Sequence, residues 1–341
     1  NKRLYVLTRF GNQIEVVDPN THDVIATHPL HNPEPAHIVE GRPFLYDAHA
    51  TSGNGEASCS SCHIFGDVDQ LAWNLGNPDD RRTTNTIPPA TVLAPATTFH
   101  PMKGPMTTQT LRGMATHGAL HWRGDRVDGF FGLDPCAEPT GAPCSEDFSF
   151  RNFIVAFEGL VGKEGTITTG EMQQFSDFAL ELMVPPNPIR PLNNSLSTHN
   201  TAISANPSPS NPSAAAGLTR FNGAAVDTVA NCNGCHTLNT AQGFFGTGGK
   251  QTFEGEPQQA KVAHMRNDYT KVGMFGNSAG GTNTGEQIRG FGVLHDGSVD
   301  TVRNFLTASV FSLNATEEAN LEALTFEFPS DLAHIVGQQV T

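Results

Sequence analysis

Two kinds of hydrophobic periodicity divide the chain into a short β segment and a longer helical part. Residues 3–8 are rich in β-forming side chains, and residues 13–17 alternate between polar and apolar positions. An Asp-Pro-Asn-Thr turn then leads into a third β-rich run at residues 23–27. We therefore predict a β-strand segment in residues 1–37.

Further along the chain, apolar residues recur at helical spacing and are separated by long loops. The helical stretches are residues 110–116, 150–161, 170–182 and 302–311. The stretch 185–216 is rich in Pro, Ser, Asn and Ala, which predicts an extended linker. A chain of 341 residues is long for a single core. We predict a mainly α chain with two domains that repeat each other, residues 38–184 and 217–341.

A Cys-x-x-Cys-His pattern occurs once in each predicted domain. The first copy consists of Cys59, Cys62 and His63, and the second of Cys232, Cys235 and His236. This pattern is the attachment signal of a c-type haem, in which both thiols bond the porphyrin and the histidine becomes an axial iron ligand. A pair of zinc sites is the alternative, but zinc needs four ligands gathered by short spacings. We therefore predict two covalently attached haem c groups, each in a cytochrome c-like domain.

The net charge and the two remaining cysteines bear on the protein's binding partners and on its cellular location. The formal net charge of −14 argues against nucleic acid and favours a basic or neutral redox protein as partner. No apolar run is long enough to span a membrane. Because haem c is attached outside the cytoplasm, we expect a mature or trimmed periplasmic or extracellular protein. There Cys136 and Cys144 are expected to form a local disulfide, with two free thiols as the alternative.

Three further segments follow the first motif and resemble those of a known family. They are Lys103-Gly104-Pro105, Thr110-Leu111-Arg112-Gly113 and Trp122-Arg123-Gly124. With the two haem motifs, they resemble the bacterial di-haem cytochrome c peroxidase family, which includes the di-haem enzymes that mature tryptophan-derived quinone cofactors. The resemblance covers roughly residues 38–341. Residues 1–37 look like one blade of a β-propeller, and one blade cannot close a propeller.

The resemblance implies a reaction and two catalytic residues. The expected reaction is reduction of hydrogen peroxide with electrons from a small donor protein, a cytochrome c or a cupredoxin. Trp122 falls on the tryptophan that lies between the two haems, with a core tryptophan as the alternative. Glu171 falls on the acid–base glutamate, with an ordinary first-turn helix glutamate as the alternative. The chain departs from the family at His121 and Arg123, where Phe and Asp are usual.

The resemblance also implies the remaining haem contacts. His63 and His236 are the expected proximal ligands, and Arg112 and Arg266 the expected partners of haem propionates. His100 is the candidate for the opposite face of the first haem, where Met102, His117 and His121 are alternatives. Met274 is the candidate for the second haem, with His295 as its alternative. A calcium ion is a further candidate cofactor.

Rival interpretations of the same residues remain open. In one, both irons have two firm ligands and the chain is a non-catalytic electron carrier. In another, the first haem oxidises a protein or an organic substrate. A third assigns the β segment to assembly, because an unpaired strand edge favours strand addition, and a homodimer or a polymer would result.

Overall fold

The computed structural model describes residues 2–85, 98–116, 118, 120–126, 145–199, 212–252, 260–271, 292–299 and 301–335. In this part of the chain, helices predominate, and the strands beyond residue 30 are two or three residues long. This agrees with the predicted mainly α chain with a short N-terminal β segment. No helix among these residues is both long and apolar enough to cross a membrane.

The N-terminal segment is a three-stranded antiparallel sheet. Its strands, in sheet order, are β1 (Leu4–Thr8), β2 (Gln13–Val17) and β3 (Val24–Pro29). The central strand contains Val16, which is buried, whereas Tyr5 and Leu7 on β1 are 67% and 69% exposed. No other strand in the described part of the chain pairs with β1 or β3. The sheet therefore presents apolar side chains and two open edges.

Helices from both sides of the first Cys-x-x-Cys-His motif form the first hydrophobic cluster. They are α1 (Ala36–Tyr46), α3 (Glu146–Arg151), α4 (Ala156–Gly159) and α5 (Thr169–Ala179), and the short helix α2 (Ala48–Thr51) follows α1. The apolar face of α5 contributes Met172, Phe175 and Phe178, which are at most 4% exposed. Phe175 meets the rings of Phe44, Phe150 and Phe157, so aromatic packing joins helices far apart in sequence.

The second hydrophobic cluster repeats this plan. Its helices are α6 (Ala214–Phe221), α7 (Cys232–Cys235), α8 (Val302–Leu306) and α9 (Ala315–Phe326). Phe221 on α6 packs against Phe328, which follows α9, and both side chains are at most 2% exposed. In each half, the helix that precedes the motif therefore packs on the last long helix of the same half.

Short antiparallel pairs hold the loops that follow each motif. In the first half they are β4 (Ala72–Asn74) with β7 (Pro105–Thr107) and β5 (Thr83–Thr84) with β6 (Thr98–Phe99). In the second half they are β8 (Leu238–Asn239) with β9 (Phe244–Phe245) and β10 (Gln251–Thr252) with β11 (Ala260–Lys261). The predicted long loops are thus tied at a few points.

The segment predicted to be a linker lies against the second half where the structure describes it. Asn187 is 2% exposed, and its side-chain amide donates to the carbonyl oxygens of Phe326 and Phe328 at 2.8 and 2.9 Å. Ser197 hydrogen-bonds to the Glu327 carboxylate. Helix α6 begins at residue 214, slightly before the predicted boundary at 217, because the Ser213 hydroxyl caps it.

Two glycines allow the helix pairs of both halves to approach closely. A Cβ on Gly41 of α1 would overlap the carbonyl oxygen of Gln174 on α5. A Cβ on Gly217 of α6 would overlap the carbonyl oxygen of Asn320 on α9. Because both obstacles are backbone atoms of a helix, they cannot move aside as a side chain would.

We expect Gly41→Ala and Gly217→Ala each to lower the free energy of unfolding by about 1–3 kcal/mol, the usual cost of overpacking. Gly170→Ala in α5 is the matched control, because its Cβ would have space and alanine favours the helix. Denaturant unfolding followed by circular dichroism measures all three. Equal stability of the three variants would show that neither helix pair needs the close approach.

Candidate functional site

The first Cys-x-x-Cys-His motif forms a single tight helical turn. Residues 59–61 are a 3-10 turn, and the Ser61 hydroxyl accepts the backbone N–H of Ser58 at its start. The backbone N–H groups of Cys62 and His63 both donate to the carbonyl oxygen of Cys59, at 3.3 and 2.9 Å. One turn therefore presents the two thiols and the imidazole together.

The second motif has the same local structure. Cys232–Cys235 is the short helix α7, capped by Asn231, whose side-chain oxygen accepts the N–H of Gly234 at 2.9 Å. The N–H of His236 donates to the carbonyl oxygen of Cys232 at 2.7 Å. Asn231 and Ser58 thus start equivalent turns in the two halves.

Both motif histidines are oriented by a backbone carbonyl further along the chain. Nδ1 of His63 lies 2.7 Å from the carbonyl oxygen of Gln109, and Nδ1 of His236 lies 3.1 Å from that of Gly246. Burial lowers the pKa of both imidazoles, which favours the neutral form. A neutral ring that donates its Nδ1 proton to a carbonyl presents Nε2 as a metal ligand, the usual arrangement of metal-binding histidines.

The four motif cysteines are thiols without a disulfide bond. Burial raises the pKa of Cys59 and of Cys232 to about 11, so both are neutral at pH 7. Among the described residues, no three His, Cys, Asp or Glu side chains converge as a metal site would require. The calcium ion stays a prediction.

Apolar side chains remain exposed around the first motif. Their exposed fractions range from 40% to 77%, and they are Ile64, Phe65, Leu71, Trp73, Leu75 and Met102. The loop that bears most of them is fixed to the motif's half, since Leu111 donates its N–H to Gly66 and Thr108 donates to Leu71. Cys59 and Cys232 also pack at the margins of the two hydrophobic clusters. Ile64 and Phe65, which directly follow His63, leave apolar surface exposed beside the motif, which fits a large apolar ring such as a porphyrin.

Arg112 lies beside the first motif. Its guanidinium donates to the carbonyl oxygen of Phe65 at 2.9 Å and lies 3.3 Å from the Asp67 carboxylate. This places a half-buried cation against two residues that follow His63 by two and four positions, at the margin of the candidate haem site. Contact with a propionate stays a prediction.

Arg266 connects the two halves. It is 1% exposed, its Nε lies 3.1 Å from the Asp331 carboxylate, and its Nη1 donates to the carbonyl oxygen of Gly113. The guanidinium also stacks on the Phe245 ring, with its carbon 4.1 Å from the centroid. Burial lowers the pKa of Arg266 to about 10, so it is still charged at pH 7. Its described partners give it a structural role between the halves.

Trp122 also lies where the two halves meet. Its indole N–H donates to the carbonyl oxygen of Thr107 at 2.7 Å, and its own carbonyl oxygen accepts the N–H of Lys261 at 2.8 Å. The ammonium of Lys271 lies 5.3 Å from the ring centroid. Trp122 is 7% exposed. Its two hydrogen bonds join it to β7 of the first half and β11 of the second. Its role between two haems stays a prediction.

A buried charge cluster flanks Trp122, and the sequence did not predict it. Asp125 lies 2.7 Å from Nδ1 of His121, 2.6 Å from the Arg123 guanidinium and 3.5 Å from the Lys103 ammonium. Burial lowers the pKa of His121 to about 4, so its ring is neutral at pH 7. Burial by itself would raise the pKa of Asp125, but these three neighbours hold it well below its usual value. The only signal in the sequence is the acid two positions beyond Arg123.

His100 is exposed, and its Nδ1 accepts the backbone N–H of Met102 at 3.1 Å. That bond leaves Nε2 as the nitrogen that could face a metal ion. The carbonyl oxygen of His100 accepts a hydrogen bond from Arg123. Met102 itself is 43% exposed. The two candidate haem ligands, His100 and Met102, thus lie in one short segment. Arg123 of the charge cluster binds the backbone of this segment.

Glu171 occupies a capping box at the start of α5. Its carboxylate accepts the N–H and the hydroxyl of Thr168, each at 2.8 Å, while its own N–H donates to the Thr168 hydroxyl. These bonds with the Thr168 backbone and hydroxyl lower the pKa of Glu171. An acid–base group near neutral pH needs a raised pKa instead. The geometry matches the helix-glutamate alternative, and the catalytic role stays a prediction.

Of the remaining predicted site residues, the structure describes His295. His295 is 8% exposed, and its carbonyl oxygen accepts the N–H of Thr107 at the end of β7, which places His295 at the junction of the halves. Met274, His117, Cys136 and Cys144 lie outside the described residues. The second haem's opposite ligand and the disulfide therefore stay predictions.

Comparison with solved structures finds a protein of similar fold. The chain aligns with one from Kuenenia stuttgartiensis hydrazine synthase at a TM-score of 0.52 and 14% identity, over 87% of this chain and 89% of that chain. No known protein family matches the chain. No curated protein matches it either. The similarity spans nearly the whole of both chains and shows a shared fold.

We expect Thr168→Ala to lower the free energy of unfolding by about 1 kcal/mol, because the cap of α5 is lost. The Glu171 carboxylate contributes stability above its unfolded pKa, and that contribution disappears as the pH falls through its lowered folded pKa. Glu171→Gln keeps the cap, since glutamine also closes a capping box.

Urea unfolding at pH 7 and at pH 3 measures both effects. The loss of stability between the two pH values should be smaller in Glu171→Gln than in the parent chain. The same loss in both would show that Glu171 does not titrate with folding.

Proposed function

We propose that this chain is a di-haem c-type oxidoreductase that reduces hydrogen peroxide. The observation that supports it is the repeated motif turn, in which two thiols and an imidazole share one turn and the Nδ1 of His63 or His236 faces a backbone carbonyl. Two unrelated sites would not be expected to share both features. Cys59 and Cys62 would hold one haem, and Cys232 and Cys235 the other.

Bound haem iron would supply the one-electron redox chemistry. Reduction of one peroxide to two waters takes two electrons and two protons, and a small electron-donor protein, a cytochrome c or a cupredoxin, would supply the electrons. The acidic chain would attract a donor with a basic surface. Trp122, buried at the junction of the halves, is the proposed bridge between the two haem sites. Because haem c is attached outside the cytoplasm, we place the protein in the periplasm or outside the cell.

Proton delivery is assigned to Glu171 in this proposal. Its carboxylate is partly exposed and could exchange protons with water, although its capping bonds must open first. The resemblance to the di-haem peroxidases supports this assignment, and the lowered pKa opposes it. A glutamine variant separates the two roles, because it preserves the cap and removes the carboxyl proton.

The capping role of Glu171 supports a second candidate function, a non-catalytic di-haem electron carrier. If His100 or Met102 firmly occupied the first haem, peroxide would have no coordination site. The hydrazine synthase chain supports the shared fold only. At 14% identity the activity in its name is not carried over to this chain.

We expect two haems per chain in the protein produced with a cytochrome c maturation system. Replacement of Cys59 and Cys62 by alanine should leave one, and replacement of Cys232 and Cys235 should leave the other. Intact-mass spectrometry and the pyridine haemochrome assay count them. A parent chain that matures without covalent haem would refute the proposal, whatever its activity.

We expect the half-reduced protein to show high-spin ferric iron at the first site and to turn over peroxide. Glu171→Gln should then lower kcat by about 10²–10⁴-fold, the usual contribution of a positioned acid–base group, with unchanged haem spectra.

Electron paramagnetic resonance and stopped-flow peroxide assays make these measurements. Low-spin iron in every redox state, without turnover, would favour the electron carrier. Full activity of Glu171→Gln would restrict Glu171 to its cap, and Thr168→Ala is the control for loss of the cap alone.

A further inference from the structure

The backbone of His100 is anchored by Arg123, whose guanidinium donates a hydrogen bond to the carbonyl oxygen of His100. Phe99 ends strand β6 and is 3% exposed, whereas His100, which follows it, is exposed. Met102 donates its N–H back to the His100 ring, which closes a small turn. The ring is therefore fixed relative to its own backbone, and the position of that backbone decides where the ring lies.

Asp125 provides a rigid base for this anchor. It is 6% exposed, and one of its oxygens accepts two bonds from Arg123, at Nε (3.1 Å) and Nη2 (2.6 Å). Its other oxygen lies 2.7 Å from Nδ1 of His121. A buried carboxylate held on both oxygens cannot rotate without leaving a charge unpaired, which is costly.

Arg123 transmits this rigidity to the His100 segment. While Nε and Nη2 face Asp125, Nη1 donates to the carbonyl oxygen of His100, and the guanidinium carbon lies 5.1 Å from the Phe99 ring centroid. A planar guanidinium can make both contacts at once, which a lysine ammonium cannot do with the same geometry. Arg123 is 2% exposed, so water does not compete for these bonds.

We propose that Arg123, held by Asp125, is the positioning residue that sets where His100 stands over the first haem. This inference rests on the proposed haem at Cys59, Cys62 and His63. Arg123 directly follows Trp122, so the same loop holds the proposed electron bridge and the clamp on the proposed ligand. Movement of His100 away from the iron would have to break the Arg123 bond or shift the Trp122 loop.

The test compares spectra of the fully oxidised protein for four variants. His100→Ala should convert the first haem from low spin to high spin, and added imidazole should reverse this. Arg123→Gln should raise the ratio of high-spin to low-spin first haem by roughly tenfold, the effect expected on losing a hydrogen bond from a charged donor. Imidazole should reverse that change too, because the iron itself is intact.

Arg123→Lys keeps a positive charge beside the buried Asp125 carboxylate, so this variant should fold even where Arg123→Gln does not. It should also raise the high-spin fraction, since it cannot hold Asp125 and the His100 carbonyl together. Arg303→Gln is the matched control. It removes a comparable bond between an arginine and the buried Glu322 carboxylate, 2.6 Å long, in the second half, and should leave the first haem unchanged.

The outcomes separate the two proposals. A parent chain without haem overturns the proposed function and this inference with it. Two haems with no spectral change in His100→Ala overturn the inference alone. A change in His100→Ala but parental spectra in Arg123→Gln and Arg123→Lys also overturn it. If Arg123→Gln fails to fold, the spectrum of Arg123→Lys decides.

Discussion

A buried guanidinium lies at the centre of the contacts between the two halves of this protein. Arg266 comes from the second half, donates to the carbonyl oxygen of Gly113 in the first, and pairs with Asp331 near the end of the chain. Asp331 also accepts the N–H of Val184, at the end of the first half. A buried charge is costly unless it is paired and hydrogen-bonded, and these contacts keep the Arg266 guanidinium paired. Gly113 has φ +71°, and a Cβ at this position would overlap the Arg266 guanidinium, so the contact needs a glycine here.

The same packing of two helices and a motif turn occurs in each half. A helix that precedes the motif crosses the last long helix at a glycine, Gly41 in one half and Gly217 in the other. The motif turn follows and is fixed to the edge of the resulting cluster through Cys59 or Cys232. A backbone carbonyl then orients each motif histidine. This repeated order gives both proposed haem sites a rigid support, as a site needs when its geometry must be held closely.

The junction between the halves holds the residues with the most unusual environments. Trp122 bonds to strands of both halves, and beside it Asp125 gathers Lys103, His121 and Arg123 in a buried cluster. His121 adopts φ +76°, a left-handed conformation that is uncommon outside glycine and tends to occur where function constrains the backbone. The N-terminal sheet lies outside this arrangement, with exposed apolar side chains on β1 and β3.

The sequence by itself determined the features that depend on neighbours along the chain. The two motif turns and the strands of the N-terminal segment follow from spacings of two to four residues, and all appear in the structure. The repeated motif also predicted two domains that repeat each other, and the structure has one hydrophobic cluster beside each motif. Which partners surround Trp122, Arg266 and Asp125 was decided only by the tertiary structure. Those contacts join residues up to 153 positions apart, as between Arg266 and Gly113, and local patterns carry no information at that range. Glu171 illustrates the same limit, because its position in the sequence suited both a cap and an acid–base group, and only the observed bonds to Thr168 showed the cap.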